Sequence, residues 1–229
     1  MVVITLPAFN EAETLPVLLE AIRASMDENH IDYRVVVVDD GSTDDTARVA
    51  RELSQQMPLT LIEHGENRGL GEAIRTGLVA ATLGAEARDI IVTMDSDNTH
   101  TPGLIARMVR GIREGNDVVI ASRYRQGAQI RGVPRYRRIL SFGARLLFSV
   151  AFPTTNVRDF TSGFRAYRAE VLQRAFATYG DQFVSQSGFS CMVDILLKLR
   201  RLDAIMSEVP LILRYDQKFG ASKMVVMNT

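Results

Sequence analysis

Two aspartates one residue apart are the side chains in this sequence whose types and spacing best suit chemistry. Asp95 and Asp97 follow the apolar run 90–94, which is short, β-branched and uncharged, and which therefore predicts a buried strand of a parallel sheet. Open α/β sheets bind ligands at the carboxyl edge of such strands. Neighbouring carboxylates repel each other unless a cation lies between them. The pair therefore predicts a site for Mg²⁺ or Mn²⁺, held together with phosphate oxygens.

The same stretch has two other interpretations. Asp and Ser are common turn residues after a strand, so the pattern alone is also consistent with a simple turn. In addition, the segment Asp-Ser-Asp-Asn-Thr at 95–99 matches the Asp-x-Asp-x-Thr nucleophile motif of haloacid-dehalogenase phosphatases. The remainder of the chain has to distinguish these possibilities.

Composition narrows the function classes. The chain has 229 residues, 46% of them hydrophobic, which suffices for one large domain, and its formal net charge of zero argues against general nucleic-acid binding. The lone Cys191 excludes an intramolecular disulfide and a Cys-rich zinc site. No window reaches the roughly 18 apolar residues of a membrane span, and the N-terminus indicates a strand rather than a signal peptide. Segment 123–145 contains a cationic patch without any acidic residue, formed by Arg123, Arg125, Arg131, Arg135, Arg137, Arg138 and Arg145.

The elements that must position these residues alternate between strand and helix. Strands are predicted at 2–6, ended by Pro7, and at 34–38, 59–63, 89–94 and 117–121. The first helix is expected to open at Asn10 or Glu11, and the second to be capped by Ser42 or Thr43. This rhythm predicts a doubly wound α/β sheet with right-handed crossovers.

Beyond residue 122 the rhythm breaks. A basic loop at 123–135 precedes a predicted amphipathic helix at 136–150, a turn at 159–163, helices at 169–176 and 189–202, and a strand at 204–213. We expect one domain over 1–229, with a donor-binding half at 1–122 and an acceptor-binding half at 123–229. His64 and His100 are expected at the surface or in turns rather than as ligands, although His100 lies close to the pair Asp95 and Asp97. Asp40, Asp44 and Asp45 are expected to be turn and cap residues.

Polar side chains at several strand ends would meet at one edge of this sheet. Asp39 ends the second strand, and Asn10 and Glu11 follow the first. A nucleotide bound there needs acceptors for a base N–H and a ribose hydroxyl, and a metal for its pyrophosphate. The chain has neither a P-loop nor a Gly-x-Gly-x-x-Gly motif before a helix, so neither an ATPase nor a Rossmann dehydrogenase is indicated.

Seven segments in order carry a resemblance to a known family. They are PAFNEAE (7–13), VVVVDDGSTDDT (35–46), NRGLGEAIRTGL (67–78), MDSD (94–97), ASRY (121–124), TSGFRAYR (161–168) and EVP with GASK (208–223). The chain resembles family 2 glycosyltransferases of the GT-A fold, and within them the dolichyl-phosphate and polyprenyl-phosphate mannose synthases. The fold implied is a mixed α/β sheet flanked by helices, with amphipathic interfacial helices on the acceptor side. That order disfavours the phosphatase, whose nucleophile motif is expected on the first strand with its paired aspartate downstream.

The resemblance also implies roles for individual residues. Nucleoside contacts fall on Pro7, Phe9, Glu11 and Asp39. Metal and diphosphate contacts fall on Asp95, Ser96 and Asp97, with Lys218 where relatives close an arginine over the diphosphate. Contacts to the acceptor phosphate and the leaving diphosphate fall on Arg123, Arg137 and Ser141, although Arg135 or Arg138 would serve equally well for phosphate. Asp194 occupies a catalytic position that usually carries Glu, and Thr99 stands where some relatives have a metal-assisting Gln.

The implied activity is an inverting, metal-dependent transfer of mannose from GDP-mannose to a polyprenyl or dolichyl phosphate. A lipid phosphate is already an anionic nucleophile, so the arginine patch rather than a general base would serve it. The protein would contact the cytoplasmic face of the membrane peripherally through helix 136–150. One alternative is a UDP-sugar such as UDP-glucose as donor, to a lipid phosphate or to a saccharide or small alcohol. An alcohol acceptor would require a carboxylate base, Asp159 or Asp194.

The sequence also bears on two other kinds of related protein, a non-catalytic nucleotide-sugar-binding protein and a processive synthase. A non-catalytic nucleotide-sugar-binding relative is disfavoured by the intact Asp95 and Asp97 pair beside the arginine patch. A processive synthase is excluded because the Gln-x-x-Arg-Trp motif needs a tryptophan and the chain contains none.

Overall fold

A seven-stranded mixed sheet forms the centre of the fold. The computed structural model describes residues 1–131 and 157–214. The strands are β1 Val2–Ala8, β2 Tyr33–Asp39, β3 Leu59–Glu63, β4 Ile90–Thr93, β5 Val118–Ser122, β6 Gln129–Arg131, β7 Arg165–Arg168, β8 Met206–Pro210 and β9 Ile212–Arg214. The helices are α1 Leu15–Glu28, α2 Thr46–Leu53, α3 Leu70–Thr82, α4 Leu104–Arg113, α5 Ala169–Tyr179 and α6 Ser190–Arg201, with a 3₁₀ turn at Gly180–Val184.

The strand order across this sheet is β3-β2-β1-β4-β7-β5-β8. All neighbours run parallel except β7, which is antiparallel to both β4 and β5. β6 and β9 form a separate parallel pair. The prediction of a mixed α/β sheet flanked by helices is therefore confirmed.

The valine run in β2 shows why the sequence forms a central strand. Val35 and Val37 belong to the hydrophobic cluster that packs against α1 and α4. Val36 and Val38 belong to the opposite cluster, beneath α3, α5 and α6. All four are fully buried, and each contributes about 1.5–3 kcal/mol by leaving water. A strand buried on both faces is apolar at every position, as the sequence showed.

Besides the short β6, which lies inside the predicted basic loop 123–135, the strand that the sequence did not predict is β7. Its segment is Arg-Ala-Tyr-Arg, which has no strand-like alternation of apolar and polar residues. Arg165 is nevertheless fully buried, and its guanidinium donates hydrogen bonds to the carbonyls of Met192 (2.7 Å) and Phe160 (2.8 Å). Pairing on both sides satisfies the backbone, and these carbonyls accept from both terminal nitrogens of the guanidinium, so the tertiary setting outweighs the local pattern.

The predicted strand at 204–213 is two strands. Its first part, β8, pairs with β5, whereas its second part, β9, pairs with β6. Leu211 lies between them, and its N–H donates to the carbonyl of Ser122 at 2.9 Å. The chain thus passes from the large sheet to the small one at the end of β5.

Two predicted helix starts were wrong for a shared reason. α1 begins at Leu15 and α2 at Thr46, both later than expected. Asn10 and Ser42 instead connect the two loops to each other: the Ser42 hydroxyl oxygen accepts the Asn10 N–H at 2.9 Å, and Asn10 Oδ1 accepts the Thr43 N–H at 2.7 Å. Side chains used between loops are not available as helix caps.

Pro7 was also predicted to end β1, but the strand continues to Ala8. The β1–β4 ladder stops at the pair Thr5 and Thr93, before Pro7. The Pro7 carbonyl accepts the Ser96 hydroxyl at 2.6 Å on that side. Because no ladder partner faces the Pro7 nitrogen, its missing N–H costs no hydrogen bond.

The predicted amphipathic helix at 136–150 lies outside the described residues, as does the segment 215–229. Within the ranges described, no helix is both long enough and apolar enough to cross a bilayer.

Candidate active site

A cavity of about 440 Å³ opens at the carboxyl edge of the large sheet. The antiparallel direction of β7 brings the segment before it, 159–164, to the edge where β4 and β5 end. Seven of the residues predicted to contact the nucleotide, the metal or the acceptor line this cavity: Pro7, Phe9, Glu11, Asp95, Ser96, Asp97 and Arg123. Asp39 and Asp194 are not among its described lining residues. Arg137, Ser141 and Lys218 lie outside the described part of the chain.

Asp97 is held by the residue that replaces a metal-assisting Gln. The hydroxyl of Thr99 donates to Asp97 Oδ1 at 2.7 Å, and the Thr99 N–H donates to the same oxygen at 3.2 Å. Asn98 between them has a φ of 57°, a left-handed conformation that Asn tolerates better than most residues. Thr99 therefore orients Asp97 within a tight turn.

Asp95 lies between His100 and Gly163. Its carboxyl Oδ2 is 3.9 Å from Nε2 of His100. On its other side, a Cβ placed on Gly163 would come within 3.0 Å of Asp95 Oδ1. The side chain is 33% exposed, so the carboxylate can still reach a ligand in the cavity. Ser96, by contrast, donates its hydroxyl to Pro7, which ties this turn to β1.

The donor atoms of this turn fit a hard divalent cation. Two carboxylates at the edge of one cavity provide the oxygen ligands that Mg²⁺ and Mn²⁺ prefer. Among the residues that the structure describes, no cluster of three or more His, Cys, Asp and Glu side chains is arranged around a metal position. A cation here would complete its coordination with diphosphate oxygens and water, as Mg²⁺ commonly does.

Arg123 reaches the cavity as one half of a buried ion pair. Its Nε donates to Asp159 Oδ2 at 2.8 Å and its Nη2 donates to Oδ1 at 2.6 Å, a bidentate arrangement. The same Nη2 donates to the Thr161 hydroxyl at 2.6 Å. Burial alone would raise the pKa of Asp159, but the hydrogen bonds and charge of Arg123 outweigh it and hold that pKa below its ordinary value. Burial likewise opposes the charge of Arg123, yet Asp159 raises the pKa of the guanidinium.

Glu208 holds the backbone next to this pair. Its Oε1 accepts the backbone N–H groups of Arg158 at 2.6 Å and Asp159 at 2.8 Å. Glu208 belongs to one of the seven segments of the resemblance, but no role was predicted for it. The buried carboxylate therefore fixes the backbone that carries Asp159, and through it the position of Arg123.

Asp40, rather than Asp39, lies on the cavity wall. Its two carboxyl oxygens accept the N–H groups of Arg68 and Gly69, both at 2.9 Å, and Nδ1 of His64 lies 2.8 Å away. Asp39 is also buried, but its carboxylate faces Ser42. Asp40 therefore folds the loop 64–69 against β2. The sequence had suggested only a turn residue.

His64 and His100, expected at the surface or in turns, are not at the surface, since both are buried, with exposures of 8% and 6%. Their burial follows from partners distant in sequence, namely Asp40 and Thr76 for His64, and Phe164 for His100. No local pattern could have indicated these contacts.

Asp194 forms a separate set of contacts, outside the described lining of the cavity. Its Oδ2 accepts hydrogen bonds from Nζ of Lys198 at 2.7 Å and from the hydroxyl of Ser185 at 3.0 Å. These contacts hold the loop that leads to Phe189, which lines the cavity and is 48% exposed. The structure thus places Asp194 behind a loop of the cavity, while its predicted catalytic role stays a prediction.

Comparison with known proteins places the sequence in a family. The family model described as Glycosyl transferase family 2 matches residues 3–176. The chain is 33% identical over 196 residues to a dolichol-phosphate mannosyltransferase from Pyrococcus furiosus, covering 85% of this chain and 52% of that relative. It is 30% identical over 223 residues to a polyprenol monophosphomannose synthase from Mycolicibacterium smegmatis, covering 96% of this chain and 80% of that protein. It is 32% identical over 221 residues to an undecaprenyl-phosphate mannosyltransferase from Micrococcus luteus, covering 96% and 85%.

Solved structures share the fold. A glucosyl-3-phosphoglycerate synthase from Mycobacterium tuberculosis, in complex with Mn²⁺, UDP-glucose and phosphoglyceric acid, aligns with a TM-score of 0.68 at 22% identity, covering 97% of this chain and 73% of that one. The complex of that enzyme with Mg²⁺ and UDP aligns with a TM-score of 0.67 at 22% identity, covering 97% and 72%. The chain spans about half the length of the Pyrococcus relative and more of the other two. The family predicted from the seven segments is confirmed: this chain belongs to glycosyl transferase family 2.

Proposed function

We propose that this glycosyltransferase moves a single sugar, mannose from GDP-mannose, to the phosphate of a polyprenyl or dolichyl lipid. The observation that carries the proposal is that two carboxylates, Asp95 and Asp97, and one fixed cation, Arg123, line the same cavity. A nucleoside diphosphate and a lipid phosphate are both anions, and their approach requires a cation beside each. The names of the three related mannosyltransferases support the choice of sugar and acceptor.

On the donor side, Asp95 and Asp97 would hold a divalent Mg²⁺ or Mn²⁺ ion. When bound, that ion supplies charge stabilisation for the leaving nucleoside diphosphate. Thr99 keeps Asp97 in position through its hydroxyl. Pro7, Phe9, Glu11 and Asp39 remain the predicted nucleoside contacts, of which the first three line the cavity.

On the acceptor side, Arg123 presents a permanently charged guanidinium whose orientation Asp159 and Thr161 hold. A phosphate bound beside it needs no general base, because it is already an anionic nucleophile. The two carboxylates that could have acted as bases for an alcohol are engaged elsewhere: Asp159 pairs with Arg123, and Asp194 pairs with Lys198. These contacts favour the lipid phosphate over a saccharide. We infer one in-line displacement with inversion at the anomeric carbon.

The remaining parts of the proposal concern residues outside the described ranges. Arg137 and Ser141 would complete the acceptor site, and Lys218 would cover the diphosphate. Helix 136–150 would lie in the membrane interface at the cytoplasmic face. Residues 1–122 would provide most of the donor site and residues 123–229 most of the acceptor site.

Radiolabelled GDP-mannose and UDP-glucose, each incubated with undecaprenyl phosphate and Mn²⁺, test the proposal. Label from GDP-mannose that passes into the organic phase is the expected result. Label that passes there from UDP-glucose instead would show that UDP-glucose is the donor. Label found only on water-soluble acceptors would show that the acceptor is not a lipid phosphate. The variant Asp97→Ala, which removes one predicted metal ligand, should form no product in either incubation.

A further inference from the structure

His100 lies against Asp95 in a position that its expected surface location did not suggest. It is 6% exposed and lines the cavity. Its ring stacks on Phe164, with centroids 5.0 Å apart and an interplanar angle of 24°. Its backbone forms a bridge with Leu213 beside the small sheet. Stacking and bridging together restrict the side chain to one orientation.

The contacts of the two ring nitrogens determine the tautomer. Nδ1 is 3.4 Å from the backbone nitrogen of Asp95 and accepts its N–H. A backbone N–H can only donate, so Nδ1 carries the lone pair and the neutral ring has its proton on Nε2. That nitrogen is the one that lies 3.9 Å from Asp95 Oδ2. The distance exceeds a hydrogen bond, so the contact is an electrostatic one between the N–H and the carboxylate.

This tautomer distinguishes between two possible roles of His100, as a metal ligand and as a residue that orients a metal ligand. A metal-binding histidine needs a free lone pair on the nitrogen that faces the ion. Here the lone pair is used by the Asp95 N–H, and the nitrogen facing the carboxylate carries a proton. His100 is therefore suited to orient a metal ligand, and unsuited to be one.

We propose that His100 is a positioning residue for the metal: it holds Asp95 through both ring nitrogens so that the carboxylate meets the cation in one orientation. The inference rests on the proposed metal role of Asp95 and Asp97. Gly163 completes the arrangement on the opposite side, because the absence of a Cβ leaves room for Asp95 Oδ1. Each aspartate of the pair thus has its own support, Thr99 for Asp97 and His100 for Asp95.

Mn²⁺ titration of the full chain with GDP present, followed by the electron paramagnetic resonance signal of free Mn²⁺, tests this role. His100→Phe keeps a ring to stack on Phe164 but removes both nitrogens, and we expect Mn²⁺ affinity to fall about 10- to 100-fold. His100→Gln keeps one amide donor near the position of Nε2 and should recover part of that loss. His30→Asn is the matched control, because His30 is exposed and has a φ of 51° that Asn tolerates, and it should bind Mn²⁺ like the unchanged protein.

The outcomes separate this inference from the proposed function. If the unchanged protein binds Mn²⁺ and His100→Phe binds it equally well, the positioning role is wrong while the metal site stands. Equal losses in the Phe and Gln variants would also overturn it, because the donor would then not matter. If the unchanged protein binds no Mn²⁺ with GDP or UDP, the metal site and this inference fall together. Product formation by His100→Phe should recover at high Mn²⁺, which a folding defect would prevent.

Discussion

Gly163 shows, at the scale of single residues, how closely the segment 159–164 approaches the turn that carries Asp95. Its carbonyl accepts the Thr93 hydroxyl at 2.7 Å, which fixes the backbone beside Asp95. The backbone conformation of Gly163 would permit a larger residue, and only space limits it, because a Cβ would lie 3.0 Å from Asp95 Oδ1. The size of residue 163 therefore controls the position of a carboxylate in another part of the chain.

We expect Gly163→Ala to displace the Asp95 carboxylate and to weaken Mn²⁺ binding, with little change in the thermal unfolding temperature. Gly103→Ala is the matched control, because Gly103 precedes a helix and has open space around the position of a Cβ. Titration of Mn²⁺ with GDP present measures the effect. Equal affinities in the two variants would show that Asp95 accommodates the extra methyl group.

The Arg123–Asp159 pair makes a second prediction, on the pH dependence of stability. The pKa of Asp159 in the folded protein lies below its ordinary value of 3.8, with burial opposed and outweighed by Arg123. A lowered folded pKa gives stability that is fully present above the unfolded value and is lost as the pH falls through the folded value. The contribution of this pair is therefore complete at neutral pH and lost below about pH 4.

Asp159→Asn should lower the free energy of unfolding at neutral pH by about 3 kcal/mol, because it leaves the buried part of Arg123 without its charge partner. It should also flatten the loss of stability below about pH 4. Urea unfolding at a series of pH values measures both effects. The double variant Arg123→Gln with Asp159→Asn should lose less than the sum of the single variants, and strict additivity would contradict the pairing.

These residues also mark the limit of prediction from sequence. Asp95 and Asp97 were identifiable because their residue types and their place after an apolar run indicate chemistry, whereas Arg123 was singled out from the cationic patch by the family resemblance. Gly163 and Glu208 were not identifiable, because their importance comes from what lies beside them in space, and His100 was noted only for its closeness to the aspartate pair in sequence. Thr99 had been noted as the place of a missing metal ligand, whereas the structure shows it supporting Asp97.

At the scale of elements, the loop 64–69 is a part of the cavity wall that one side chain, Asp40, holds in place. Asp40 accepts its backbone N–H groups, and His64 bridges Asp40 to helix α3 through Thr76, whose hydroxyl is 3.0 Å from Nε2. Gly41 lies so close to this loop that a Cβ there would be 2.2 Å from the carbonyl carbon of Glu66. The loop carries Asn67 and Gly69 to the cavity, on the side proposed for the donor.

His64→Phe should raise the KM for the nucleotide-sugar about tenfold and leave the KM for lipid phosphate near its original value. The reason is that a hydrogen bond to a charged carboxylate contributes about 1.5–3 kcal/mol. Its loss should loosen only the loop 64–69, which lies on the side proposed for the donor. His64→Asn keeps a donor near the position of Nδ1 and should show a smaller effect. Steady-state kinetics with each substrate varied in turn give the two constants, and equal rises in both would argue for a general loss of folding.

Elements were predictable where local pattern and tertiary setting agree. The apolar runs of β2 and β4 indicated their strands because both faces of the sheet are buried. β7 was missed because its arginines find their partners only in the tertiary fold: Arg165 donates to two backbone carbonyls, and Arg168 pairs with Asp117. The helix starts at α1 and α2 were misplaced because polar side chains that usually cap helices instead link two loops.

At the scale of the whole molecule, the two proposed halves interlock. β7 belongs to the acceptor half, 123–229, yet it lies between β4 and β5 of the donor half. The segment before it carries Gly163 beside Asp95 and Asp159 beside Arg123. Residues 1–122 alone would leave facing edges of β4 and β5 without the strand that joins them. The surroundings of the turn 95–99 are consequently built from both ranges. An alternating βα pattern alone does not describe this sheet, because β7 lies between β4 and β5 and runs in the opposite direction.

A fragment ending at Ser122 should therefore fail to unfold cooperatively and should bind neither Mn²⁺ nor GDP, whereas the full chain should unfold in one transition. The unpaired edges of β4 and β5 would expose buried strand residues such as Ile91 and Val119, and we expect the fragment to aggregate. Calorimetry and Mn²⁺ titration of both proteins at equal concentration make the comparison. A fragment that unfolds cooperatively and binds GDP would show that the donor half is a domain in its own right. Two separate transitions in the full chain would point to the same conclusion, because interlocked halves that share a sheet must lose it together.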